Sequence, residues 1–215
     1  EGDIMTETKG SDIKISSMII GTTVAKFELP IKLVDDINIA YDSDKSKMPD
    51  HNESLAGKIE EEKLVNDILT NDMKSIFLDC FKKYLNLIQK PLWICSLENA
   101  WINDMYAGEY NPLHIHSSPL TDMGLSSVFM LKRPDTYGIE VSQKDKPTNG
   151  WLQFTGGDQA PLSSCQLVVD AKPGEFFVFP YSLLHGVYPF NGTKEVRRTM
   201  SYNCNLFKPD QVKQN

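Results

Sequence analysis

Cysteine, histidine and long apolar runs are all scarce in this chain of 215 residues. Its cysteines, Cys80, Cys95, Cys165 and Cys204, are widely spaced and form no Cys-x-x-Cys pair. That spacing argues against a disulfide framework or a zinc knuckle and suits free core thiols in a reducing compartment. No stretch approaches about 18 consecutive apolar residues, so no membrane-spanning helix is expected. The opening Glu1-Gly-Asp-Ile-Met-Thr-Glu7 lacks the basic and apolar regions of a signal peptide, and a cytoplasmic location is expected. Basic surplus is missing too: 22 Lys and Arg stand against 29 Asp and Glu, a net charge of −7. A nucleic-acid partner is therefore not expected, because such domains carry a basic stripe. Neither a Ser/His/Asp nor a Cys/His set stands out for nucleophilic catalysis. Gly156-Gly157 has no following helix to make a phosphate loop. The sequons at Asn52 and Asn191 read as coincidence without secretion.

What is present is ordinary globular material, 40% hydrophobic and 24% charged. A length of 215 residues fits one domain (residues 1–215), with residues 1–91 as N-terminal strands and buttressing helices and residues 92–208 as a β core. Residues 1–12 are polar and expected to be loose, and 13–29 suit one or two strands ending at Pro30. Residues 42–54 form a polar, turn-rich loop that contains His51. From Glu60 to Ile88, Val65, Ile68, Leu69, Met73, Ile76, Phe77, Cys80 and Tyr84 recur at three- and four-residue steps, which predicts helix. Thr70-Asn71-Asp72 is a candidate cap within it, and Pro91 a stop. Beyond Trp93 the pattern turns to short strands, near 93–97, 99–106, 113–117, 126–132, 137–142, 151–155, 165–171, 175–179, 185–190 and 197–206. Such strands with regular turn signals predict an antiparallel sandwich or barrel, a mainly β protein with flanking helices.

Three of the four histidines fall in one pattern: His114 and His116, then His185. Strand side chains alternate faces, so residues i and i+2 point the same way about 7 Å apart. Two imidazoles so placed, joined by a third from another strand, can converge on one metal ion of the Fe, Zn, Cu or Ni type. Asp122 is a nearby carboxylate that would substitute if His116 turned outward. Wider blocks surround the pattern: Tyr106-Ala-Gly-Glu-Tyr-Asn-Pro-Leu-His-Ile-His-Ser117, then Pro173-Gly-Glu-Phe-Phe-Val-Phe-Pro180, Leu183-Leu-His-Gly-Val-Tyr-Pro-Phe190 and Arg197-Arg-Thr-Met-Ser-Tyr-Asn203.

These blocks, roughly residues 98–206, resemble the iron(II)/2-oxoglutarate-dependent oxygenases, with weaker similarity at Leu55-Ala-Gly-Lys-Ile-Glu60. The likeness is greatest to a small bacterial and phage branch that is itself similar to the prolyl hydroxylases. The resemblance implies a double-stranded β-helix, a jelly-roll of the cupin-like kind. It implies Fe(II) as metal, 2-oxoglutarate and O2 as cosubstrates, and a peptide or small molecule hydroxylated with release of succinate and CO2. The family's metal motif is His-x-Asp/Glu followed by a distal His. Here His114 and His185 match the histidines, and His116 stands where a carboxylate is usual. The cosubstrate motif Arg-x-Ser/Thr is matched by Arg197 and Thr199, and Tyr106 occupies the place of a cosubstrate-binding tyrosine.

Arg198 competes with Arg197 as the anchor for the distal carboxylate, a task suited to the planar guanidinium fork. Arg197, Thr199, Ser201 and Asn203 share one strand face, and Arg198, Met200 and Tyr202 the other, which favours Arg197. A two-residue hairpin at Asn191-Gly192 would instead put Arg198 opposite His185. Two other functions fit the residues. One is a three-histidine metalloenzyme that ignores 2-oxoglutarate, a zinc hydrolase or cupin-like dioxygenase, although a His-x-His-x-Asp-His motif is missing and the sequence continues His116-Ser-Ser-Pro119. The other is a non-catalytic jelly-roll binding protein. With three imidazoles as ligands, metal affinity is expected to fall below about pH 6.5. Trp93, Trp101 and Trp151 read as packing residues.

Overall fold

The computed structural model describes residues 21–51, 57–141, 144–157, 161 and 163–210. The polar start at 1–12, residues 13–20 of the expected strand region, and Asn52 to Ala56 lie outside them. In chain order the elements are β1 (Ala25–Glu28), α1 (Ile31–Asp44), β2 (Glu61–Leu64), α2 (Asn71–Leu87), β3 (Ile94–Met105), β4 (Asn111–His114), β5 (Gly124–Lys132), β6 (Leu152–Thr155), β7 (Gln166–Val169), β8 (Glu175–Pro180), β9 (Leu184–Val187) and β10 (Arg197–Phe207). Six strands form a major sheet in the order β1-β8-β5-β10-β3-β2, and four form a minor sheet, β4-β9-β6-β7. Every strand pairing is antiparallel. The fold is a double-stranded β-helix, as expected.

Side-chain alternation explains how one sheet serves two purposes. On β10, Met200, Tyr202, Cys204 and Leu206 join Phe129 and Leu131 of β5 and Phe176 and Val178 of β8 in a core beneath the helices. The opposite residues of the same strands, Val128 and Met130, Phe177 and Phe179, pack with Leu152 and Phe154 of the minor sheet. Being covered on both faces, β8 and the Val128–Leu131 stretch of β5 read as nearly continuous apolar runs. Phe77 of α2 ties the helix layer down, with ring centroids 5.8, 5.3 and 5.7 Å from Phe129, Phe176 and Tyr202. The parity places Trp101, Asn103, Thr199 and Ser201 on the inner face, against the minor sheet.

Several local expectations are corrected. Residues 61–64 form strand β2, whereas a helix from Glu60 was expected; the helix starts at Asn71, where the Thr70 side chain accepts the Met73 N–H at 3.2 Å. Pro30 precedes a helix with no expected counterpart, α1, with Leu33, Val34, Ile37 and Tyr41 buried. The expected strands at 93–97 and 99–106 are one, β3, and no strand lies within 137–141. Strands β9 and β10 belong to different sheets, so Asn191-Gly192 joins no hairpin and Arg198 does not face His185.

Candidate metal centre

His114 closes β4 and His185 lies in β9; the two are register partners across that ladder. His116 lies two residues beyond, its backbone N–H donating to Tyr181 O at 3.0 Å, which holds the segment against the end of β8. The three imidazoles come together: one nitrogen from each lies within 4.8 Å of the others. His116 Nε2 and His185 Nε2 are 3.1 Å apart, and their rings stack with centroids separated by 4.9 Å. Asp122 is exposed and takes no part.

Hydrogen bonds set the tautomers. His114 Nδ1 lies 2.8 Å from Pro112 O and His185 Nδ1 2.9 Å from Leu183 O. A carbonyl can only accept, so each Nδ1 carries the proton and each Nε2 is left with its lone pair aimed at the cluster. Phe179 packs on the His185 ring at 4.5 Å and fixes its plane. Burial, reinforced by the neighbouring rings, pushes the His116 pKa down to about 2 and that of His185 to about 3; burial also lowers His114. Three neutral nitrogen donors in a dry corner are a set suited to a single borderline transition metal.

A narrow cleft adjoins the histidines, lined among others by Trp101, Asn103, His114, His185, Thr199 and Ser201. Arg197, on the same strand face as Thr199, is 1% exposed. Its Nε donates to Gly150 O at 2.8 Å, its Nη2 has no partner, and it makes no ion pair among the described residues. Burial draws its pKa below the usual value. Tyr137, also buried, has its hydroxyl beside this guanidinium, neither group completing a hydrogen bond to the other. Arg198 points the other way, into an ion pair with Asp104 and Asp42 beneath α1.

Tyr106 is not brought to the cleft. It shares strand parity with Asp104, is 39% exposed, and its hydroxyl donates to Glu61 Oε2 at 3.3 Å. Two lining residues were missed or misjudged in the sequence. Trp101 contacts His116, with centroids 5.7 Å apart, and is more than packing; Asn103 carried no motif. Parity along β3, counted from β10, was the one signal that placed both inward.

Taken together, fold and donor set describe a jelly-roll protein with a three-histidine cluster that could hold one metal ion. Residues 99–203, from β3 through most of β10, match the 2OG-Fe(II) oxygenase family model. That match, a little under half of the chain, supports the iron(II)/2-oxoglutarate-dependent oxygenase superfamily. Among solved structures it is similar to a Pseudomonas putida prolyl-4-hydroxylase (14% identity, 87% of this chain and 93% of that one covered, TM-score 0.57). A Trichoplax adhaerens prolyl hydroxylase in complex with a hypoxia inducible factor peptide fragment aligns at 10% identity, 89% and 87% coverage and TM-score 0.55. A non-heme α-ketoglutarate-dependent carbocyclase of nogalamycin biosynthesis aligns at 12% identity, 87% and 83% coverage and TM-score 0.56. At these identities the likeness is one of fold. No curated protein matches the chain in sequence. No helix among the described residues is long and apolar enough to cross a membrane.

Proposed function

We propose that the protein is a hydroxylase that holds Fe(II) through His114, His116 and His185 and takes the distal carboxylate of 2-oxoglutarate on Arg197. The observation that carries this is the state of Arg197. A charged group taken fully out of water without a counterion costs several kcal/mol. Here the group is 1% exposed, has an unpartnered Nη2 and forms no ion pair among the described residues; Asp170 acts on it only from beyond ion-pair distance and is itself engaged by Arg133 and Lys172. An anionic guest answers that deficit, and a carboxylate matches the guanidinium fork. The Tyr137 hydroxyl is the natural second donor, in the role expected of Tyr106, and Thr199 lines the path from Arg197 towards the histidines. Bound iron with 2-oxoglutarate and O2 supplies the oxidising power to hydroxylate an unactivated C–H bond, releasing succinate and CO2. The protein's own part is to present neutral Nε2 atoms, fix the diacid, and line the cleft with Val128 and Leu152 so that water is excluded.

The set is all-imidazole where the family usually has one carboxylate. Neutral ligands leave more positive charge on the ion and strengthen its hold on an anionic chelate. That, with Arg197, favours the 2-oxoglutarate-dependent reaction over a three-histidine enzyme that ignores the diacid. Anaerobic addition of Fe(II) and 2-oxoglutarate tests the reading. The expected result is a visible charge-transfer band that needs both, and a protein that binds Fe(II) without developing one would overturn it.

A further inference from the structure

One charged group of the inner face is absorbed neither by the metal position nor by the diacid site. Glu62 of β2 is 1% exposed, and its Oε1 has no hydrogen-bond partner. It is the register partner of Asn103, so the two side chains leave the sheet on the same face, with β-carbons about 5 Å apart. Asn103 is 6% exposed, lines the cleft, and its Oδ1 is likewise unpartnered. Two strand positions along the inner face is Trp101, whose ring lies 5.7 Å from that of His116. A row therefore runs from the histidine cluster, across an indole, to two acceptors to which nothing donates among the described residues.

Buried acceptors left unmatched cost about 1–3 kcal/mol each, and more when charged. The surroundings do not relieve Glu62. Among the described residues it has no ion pair, and the charged group that acts on it is Glu109, of like sign; burial and that neighbour push its pKa up to about 7. His51, on the adjoining edge, packs its ring on Trp101 at 5.2 Å, without reaching the carboxyl.

We propose that Glu62 is the residue that selects the substrate, receiving a cationic nitrogen group, an ammonium or guanidinium, between its carboxylate, Asn103 Oδ1 and the Trp101 ring. Several N–H donors on one positive centre match two orphan acceptors, and an indole adds cation–π attraction. The net charge of −7 favours the approach of such a group. A guest anchored there is separated from the histidines by the width of one aromatic side chain, so its carbon chain lies towards the metal position. This deepens the hydroxylase reading and rests on it.

Calorimetry on the full chain, held anaerobically with Fe(II) and 2-oxoglutarate, tests the assignment. The probes are Nα-acetyl-lysine N-methylamide, its arginine and norleucine counterparts, and n-butylamine. At least one basic amide should bind tenfold or more tightly than the norleucine amide, and Glu62→Gln should erase that preference while melting no lower than the parent. Butylamine as strong as the lysine amide would make the source a free amine; a weaker butylamine would make it a peptide side chain. Equal binding of basic and neutral amides by the parent, or a preference undiminished in Glu62→Gln, overturns the proposal. The charge-transfer band read in the same samples separates the two ideas. Its absence from the parent counts against the hydroxylase reading alone, because the Glu62 comparison is thermodynamic and stands without it.

Discussion

Arg198 and Asp104 face each other as register partners on β10 and β3, and the guanidinium grips the carboxylate at both ends: Nε to Oδ1 at 2.5 Å and Nη2 to Oδ2 at 2.8 Å. Asp42 and Asn38 of α1 complete the set, at 2.8 and 3.0 Å from Nη1. Burial alone would lower the Arg198 pKa, but the two carboxylates outweigh it and raise it. The cluster pins α1 to the outer face of the major sheet. Removing one partner strands a buried charge, so Asp104→Ala should cost about 3–5 kcal/mol. Urea denaturation checks this. The same variant should keep 2-oxoglutarate affinity within about threefold, since the pair lies on the far side of the sheet from the cleft.

The neighbouring arginine should behave in the opposite way. Arg197→Met removes a buried charge that forms no ion pair among the described residues, so stability in the absence of 2-oxoglutarate should hold or rise. Binding of 2-oxoglutarate should fall by two orders of magnitude or more, the effect of losing a two-pronged charge-assisted contact of about 3 kcal/mol. Calorimetry decides the matter: undiminished 2-oxoglutarate binding by the variant would mean that another residue anchors the diacid.

The contrast between these two arginines shows what could be read in advance. Strand parity on β10 separates Arg197 from Arg198 in the sequence itself; the spacing of His114 and His116 marks them as a pair, although β4 ends at His114 and His116 reaches the cluster from the segment beyond it, not by strand alternation. The partners that give each arginine its character, Asp104 and Gly150, lie 94 and 47 residues away and follow only from the strand order. Helix α1 is not legible because Pro30 signals the end of a strand, while proline's fixed φ equally suits the start of a helix. Strand β2 escaped because Val65, Ile68 and Leu69 extend the helical spacing of α2 backwards past the true cap at Thr70. Glu62 was illegible for a different reason: a lone glutamate between charged neighbours reads as solvated, and only the pairing with Asn103 reveals its burial.

The distance between β4 and β9 sets the distance between His114 and His185, and Gly186 allows it. A β-carbon at Gly186 would come within 2.7 Å of Asn111 O and 3.0 Å of Pro112 C, both backbone atoms of β4. Backbone cannot swing aside as a side chain does, so Gly186→Ala must push the strands apart next to their one direct His–His pairing. Metal affinity, measured by competition with a fluorescent chelator, should drop at least tenfold, with far less change in the circular-dichroism spectrum. Unchanged affinity would show that the ladder does not govern the cluster.

Acid should act on the metal-free protein through the same rings. An unfolded chain protonates its imidazoles near pH 6.5, whereas the folded protein keeps His116 and His185 neutral down to about pH 2 and 3. Between those limits the unfolded state binds more protons, so stability rises with pH and is lost as pH falls below about 6.5. Each ring contributes a slope of about 1.4 kcal/mol per pH unit, so the two together give about 2.7 once pH is well below 6. Urea midpoints of chelator-treated protein at pH 7, 6 and 5 should show that fall, and a His116→Gln, His185→Gln double variant should lose most of it. Metal affinity follows a different course. The folded rings hold no protons to be displaced at neutral pH, so affinity should persist well below the pH 6.5 expected from free imidazole. Equal pH slopes for parent and double variant would mean that the folded rings titrate like free histidine, and that water reaches the cluster.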